Sequence, residues 1–277
     1  MTQINSTTRA VITGGAGGIG SEIARELKKR GAHALIVDIN EDALARAKTD
    51  LDQSPGAGTI DTIRADVRSV EDLEAVRDHI LNTSGGVDLV FNNAGITHYG
   101  TFEDLSLPAI QRMMDINLYG VINGCHVFLP VFSKQGHGHI INTASMAAVS
   151  GIPRQSVYCA SKAGVRAFSE SLAAEYSGTK IGVTWLIAGA IATELINNAE
   201  SKDATSVTLG RLLKSGGMSP NSVARKLLRA VEKNQNELVV TIEGNLTAVA
   251  NRISPFAVRS SMKLISRVAV MMEARQK

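Results

Sequence analysis

Tyr158 and Lys162 stand four residues apart in the run Tyr158-Cys159-Ala160-Ser161-Lys162. On a helix that spacing places both on one face. A free tyrosine ionises at about pH 10 and is a poor base at neutral pH. A fixed ammonium beside it favours the phenolate and lowers that value. Such a pair can give a proton to, or take one from, an alcohol oxygen. Ser145 lies 13 residues earlier and adds a hydroxyl. Taken alone, Tyr-x-x-x-Lys is a spacing that a surface pair also satisfies.

A second cluster is built for an anion. The apolar run Ala10–Thr13 leads into Thr13-Gly14-Gly15-Ala16-Gly17-Gly18-Ile19-Gly20, and a helical pattern follows at once. Each glycine costs a helix about 1 kcal/mol relative to alanine. The run makes sense where backbone must approach a phosphate and the first amides of a helix face it. It parses as G-x-G-x-x-G from Gly15, Gly17 and Gly20, and equally as T-G-x-x-x-G-x-G from Thr13, Gly14, Gly18 and Gly20. Asp38 ends the second predicted strand, 18 residues beyond Gly20. A carboxylate there accepts hydrogen bonds from an adenosine ribose. A 2′-phosphate would meet its negative charge. Ile39 follows it, and the glycine turn carries no Lys or Arg, which favours NAD(H) over NADP(H).

The elements that must position these groups alternate. Ala10–Thr13, Ala34–Asp38, Thr59–Arg64, Val87–Asn92, His139–Thr143, Ile181–Leu186 and Glu237–Ile242 read as strands. Ile19–Arg30, Glu41–Leu51, Val70–Asn82, Leu107–Ser133, Val157–Tyr176 and Pro220–Lys233 read as helices. The expected fold is α/β, a Rossmann-type doubly wound parallel sheet of about seven strands with helices on both faces. No linker or repeat divides the chain. We expect a flexible arm over residues 1–8, one catalytic domain over 9–250, and a basic C-terminal extension of it over 251–277.

Composition agrees with a globular enzyme. The chain has 277 residues, 44% hydrophobic and 20% charged. That excludes a disordered chain. A net charge of +3 does not point to nucleic acid. Cys125 and Cys159 are too few for a disulfide scaffold and fit a reducing compartment. Residues 1–8 are polar, and neither long uncharged stretch (116–133, 135–153) is a clean apolar run, so the expected location is cytoplasmic. The histidines and cysteines show no metal spacing, so no metal is expected.

Taken together, Thr13–Gly20, Asp38, Asp66-Val67, Asn92–Gly95, Asn117, Ser145 and Tyr158 with Lys162 resemble the short-chain dehydrogenase/reductase family in order and spacing, over roughly residues 9–195. The resemblance implies a role for each. Tyr158 would be the general acid/base. Lys162 would lower its pKa and hold the nicotinamide ribose, Ser145 would bond the substrate oxygen, and Asn117 would anchor a water of a proton relay. Gly14, Gly18, Ile19 and Gly20 would line the cofactor phosphates. Asp66 would meet the adenine amino group and Val67 its ring. Asn92 would lie along the cofactor and support the sheet, with Ala94 and Gly95 allowing close approach. One departure stands out. In Leu186-Ile187-Ala188-Gly189-Ala190-Ile191-Ala192-Thr193, Ala188 replaces the family's usual proline. Gly189 and Thr193 keep their places, and Thr193 would touch the nicotinamide amide. Alanine frees φ, so a looser turn is expected.

The resemblance also makes residues 190–217 a substrate lid. Ala190, Leu195 and Ile196 would join Ala147, Ile152 and the Thr97-His98-Tyr99 segment around the substrate, with His98 expected at solvent. The apolar share suggests a secondary alcohol or ketone with a hydrophobic body. The leading expectation is an NAD(H)-dependent alcohol dehydrogenase/ketone reductase. The alternatives are a 3-oxoacyl-thioester reductase and a non-catalytic nucleotide-binding redox sensor. Small residues along the helix from Val157 fit a homodimer or homotetramer. The tail, residues 251–277, carries six basic residues against Glu273 alone. It suits packing on protein better than contact with a membrane surface.

Overall fold

The computed structural model describes residues 2–189, 191, 217–256, 258–263 and 267. Seven parallel strands form one sheet: β1 (Arg9–Thr13), β2 (His33–Asp38), β3 (Thr59–Arg64), β4 (Leu89–Asn92), β5 (Gly138–Thr143), β6 (Ile181–Ile187) and β7 (Glu237–Val239). Their order is β3-β2-β1-β4-β5-β6-β7. The order reverses between β1 and β4, and a crevice opens there at the strands' carboxyl ends.

The strands are apolar on both sides because both sides are covered. Ile12, Ile36, Phe91, Ile141 and Leu186 pack with α1 (Gly18–Lys29), α2 (Glu41–Gln53) and α7 (Pro220–Glu232). Val11, Leu35, Val90, Ile140 and Val183 pack with α3 (Val70–Ser84), α5 (Gly120–Gln135) and α6 (Ser156–Glu175). Local chemistry sets the helix starts. Asn40 accepts from Ala43 N at 3.0 Å, and Ser69 from Asp72 N at 3.0 Å.

Three expectations are corrected. The long helix expected over 107–133 comes in pieces: α4 (Leu107–Met114), a π-helical turn (Asp115–Tyr119) and α5. The wider turn carries Asn117, which bonds the chain after β4, and π-turns often mark such sites. By length and composition, Leu107–Gln135 is also apolar enough to cross a membrane, but half of its 18-residue apolar window is buried within the fold. The last expected strand stops at Val239, because Thr241 caps a further helix, α8 (Ile242–Ile253), accepting from Gly244 N at 3.1 Å. A boundary at residue 250 therefore cuts a helix. The arm expected to be flexible is docked. Ile4 is buried in the core, and Thr8 Oγ1 accepts from Asn5 N at 3.0 Å.

Candidate active site

The crevice is pinned by one threonine. Thr13, at the end of β1, accepts at its Oγ1 from Asn93 N at 3.0 Å and Ala94 N at 3.2 Å, beyond β4. Asn93 Nδ2 returns bonds to Thr13 O and Gly14 O, both at 3.2 Å. Glycine is required on this path. Gly14 has φ +62°, and a Cβ there would lie 2.8 Å from Ala94 Cα. A Cβ on Gly20 would lie 2.3 Å from Gly14 O, whereas one on Gly17 would meet nothing within 4 Å. Gly17 caps α1 without a side-chain hydrogen bond. The first amides of α1, Gly18 and Ile19 among them, thus present an uncapped helix start. This cradle fits the pyrophosphate of a dinucleotide.

Asp38 stands at the end of β2. It is half-buried and accepts from Asn40 N at 3.1 Å. Ile39 beside it is exposed. Asp66 is already engaged: Arg68 Nε reaches its two oxygens at 3.0 and 2.9 Å. The Arg68 guanidinium holds that carboxyl below its usual range. Val67 is buried, with its side chain closing over Gly120. Asn92 lies within the sheet. Its amide is buried in the sheet and donates to Asn142 Oδ1 at 2.9 Å, as alternation along β4 dictates. Its neighbour Asn93 faces the crevice instead. The doubled asparagine was a visible signal, and strand parity could have chosen the second.

The proton-handling residues converge. Ser145 follows β5, and Tyr158 and Lys162 lie on the first turns of α6. All three are buried. Burial pushes the Tyr158 phenol up to about 12, against the opposing influence of the Ser145 hydroxyl. Lys162 Nζ donates to Thr143 O at 2.8 Å and lies 6.0 Å from the centre of the Tyr158 ring. Burial pulls its ammonium down to about 8. The expected lowering of the tyrosine by the lysine is therefore not met, because desolvation dominates both groups. Asn117 is fully buried and acts as a clasp. It accepts from Ile96 N at 2.8 Å and donates to Ile96 O at 2.9 Å and Ser161 Oγ at 3.2 Å. Gly95 lies alongside, where a Cβ would stand 3.1 Å from Asn117 Oδ1 and 3.5 Å from Lys162 Nζ.

Ala147 and Ile152 pack against Tyr158 in one apolar cluster. His98, expected at solvent, is buried. Gln155 was not singled out from the sequence. It is buried, donates to Thr97 Oγ1 at 3.2 Å and bonds the Tyr99 phenol. Ala188, where the looser turn is expected, accepts at its O from Met146 N at 2.8 Å. Gly189 leaves room for Thr241, whose Oγ1 would lie 2.3 Å from an added Cβ. Ala190, Thr193, Leu195 and Ile196, and the expected lid from 192 to 216, lie outside the described residues. Among the described residues, no group of His, Cys, Asp and Glu could hold a metal ion.

A crevice that suits a dinucleotide, beside a buried Ser-Tyr-Lys group, defines a class of nucleotide-dependent oxidoreductases. The short chain dehydrogenase family profile matches residues 8–204, and the chain belongs to that family. "Putative oxidoreductase SadH" of Mycobacterium tuberculosis is 34% identical over 251 residues, 88% of this chain and 90% of that protein. A short-chain dehydrogenase/reductase from Burkholderia phymatum, solved in complex with NAD, has a TM-score of 0.82 at 25% identity, covering 91% of this chain and 95% of that one. An alcohol dehydrogenase from the archaeon Thermococcus sibiricus, complexed with 5-hydroxy-NADP, has a TM-score of 0.71 at 26% identity, covering 84% and 95%.

Proposed function

We propose that this oxidoreductase interconverts a hydrophobic secondary alcohol and its ketone, with NAD(H) as cofactor. The observation that carries the reading is the convergence of Ser145, Tyr158 and Lys162, all three buried, with Tyr158 set against Ala147 and Ile152. The glycine turn would hold the pyrophosphate, Asp38 the adenosine ribose, and Lys162 the nicotinamide ribose. Bound there, a nicotinamide cofactor supplies hydride chemistry. Ser145 and Tyr158 hold the substrate oxygen. Tyr158 gives that oxygen its proton in reduction and receives one in oxidation. Thr143 O keeps the Lys162 ammonium near the phenol without bonding it.

The carboxylate of Asp38 supports NAD(H) over NADP(H). The two complexes named above hold one cofactor of each kind, so affinity must be measured. Titration with NADH and NADPH, read by nicotinamide fluorescence, tests the choice. We expect at least tenfold tighter NADH. Equal or tighter NADPH would overturn the cofactor assignment. Secondary alcohols with apolar bodies, screened with NAD, then test the substrate class.

The reading includes self-association. Ala160, Ala163, Ala167 and Ala174 are exposed along α6, and Leu107 and Tyr119 are exposed at the two ends of the α4 and π-turn segment. Small residues permit close helix contact between subunits. Sedimentation equilibrium tests this, with a dimer or tetramer expected and a monomer at micromolar concentration contradicting it.

A further inference from the structure

We infer that the C-terminal helical face of this protein docks on an anionic phospholipid bilayer. The inference does not rest on the proposed reaction. Leu246, Val249 and Ile253 are spaced for one face of α8. They are 67%, 53% and 79% exposed. The opposite side of α8 is committed to the fold: Gly244 is buried, and Asn251 Nδ2 donates to Val149 O at 2.9 Å. Helical backbone resumes after Ser254, where Phe256 is 79% exposed and Val258 is buried. The apolar surface therefore continues past the break while Val258 anchors the segment from beneath.

Charge complementarity selects the occupant. Arg259 and Lys263 are exposed just beyond Phe256, and Arg267 is exposed further on. The sequence from 251 to 272 contains no Asp or Glu. Exposed aliphatic and aromatic side chains followed by unopposed cations match the boundary between acyl chains and anionic headgroups. Asn251 ties α8 to the Met146–Val149 segment beside Ser145. A docked helix would thus set the catalytic edge close to the lipid.

The test is flotation of the full-length protein with vesicles. One set is phosphatidylcholine with about 30% phosphatidylglycerol, and the other is phosphatidylcholine alone. We expect at least tenfold more protein to float with the anionic vesicles, and the excess to fall severalfold in high salt. The doubly substituted Ile253→Glu/Phe256→Glu protein should lose that binding while its sedimentation coefficient stays that of the wild type. Equal flotation with both vesicle types, or none with either, would overturn the proposal independently of any variant. A double variant that binds vesicles normally but dissociates into smaller species would also overturn it, and would assign the face to a second copy of the chain.

Discussion

The Lys162 ammonium stands 6.0 Å from the centre of the Tyr158 ring and gives its hydrogen bond to Thr143 O, not to the phenol. Burial drives the two groups apart, Tyr158 up to about 12 and Lys162 down to about 8. The order of titration follows. Lys162 loses its charge before Tyr158 loses its proton, so at neutral pH the pair is ammonium plus phenol. The chain is set to donate a proton.

A pH asymmetry in activity is the first consequence. Ketone reduction uses the phenol, which stays protonated across the neutral range. Its kcat/KM should vary by no more than about twofold between pH 6 and 7.5. Alcohol oxidation needs Tyr158 to accept a proton, so its kcat/KM should climb as pH rises from 6 to 8. Oxidation that is flat over that range would show that the phenol does not limit it.

Stability carries the same signature. Lys162 has a folded value below its unfolded one, so from about pH 8 to 10.5 the unfolded chain binds more protons, and stability rises with pH there. Tyr158 works the other way, removing stability between about pH 10 and 12. Relative to Lys162→Met, the wild type should gain on the order of 1–3 kcal/mol as pH goes from 7.5 to 9.5. Urea unfolding at both values reads this. A constant difference would mean that the lysine is not desolvated.

The glycine turn separates geometry from composition. Gly20→Ala pushes a methyl into Gly14 O and should cost about 1–3 kcal/mol and weaken NADH binding at least tenfold. Gly17→Ala meets open space in a backbone region that alanine adopts, and should change stability by no more than about 0.5 kcal/mol. Equal destabilisation by both substitutions would refute the close approach at Gly20.

Asn117 should matter to folding as well as to catalysis. Asn117→Ala leaves Ile96 N and O without their side-chain partner in a buried site. The expected loss is about 2–4 kcal/mol, read by denaturant unfolding. A loss below about 1 kcal/mol would show that the clasp is dispensable.

Much of this was legible before the fold. Strand–helix alternation was strong because a sheet covered on both faces demands continuous apolar runs such as Ala34–Val37 and Leu89–Phe91. Ser145, Tyr158 and Lys162 were visible because their chemistry is rare in that order. What escaped was set by tertiary contact. The π-turn at Asn117 follows from a bond to Ile96, 21 residues away. The raised Tyr158 pKa follows from burial, which Tyr-x-x-x-Lys does not encode. Helix α8 was read partly as strand because Val239 and Val240 are β-formers, although Thr241 three residues before Gly244 is a cap in plain sight. Which of Asn92 and Asn93 bonds within the sheet was not legible, because the motif names both while strand parity separates them.

Tyr158→Phe bears most directly on the central claim. The substitution removes one oxygen and keeps the ring that packs on Ala147 and Ile152. NADH affinity and turnover of a secondary alcohol should be measured on the same preparations. The account predicts an NADH dissociation constant within about threefold of wild type and turnover reduced by roughly 10²–10⁴. Turnover within about threefold of wild type, with NADH still bound, would remove Tyr158 from the chemistry and contradict the account.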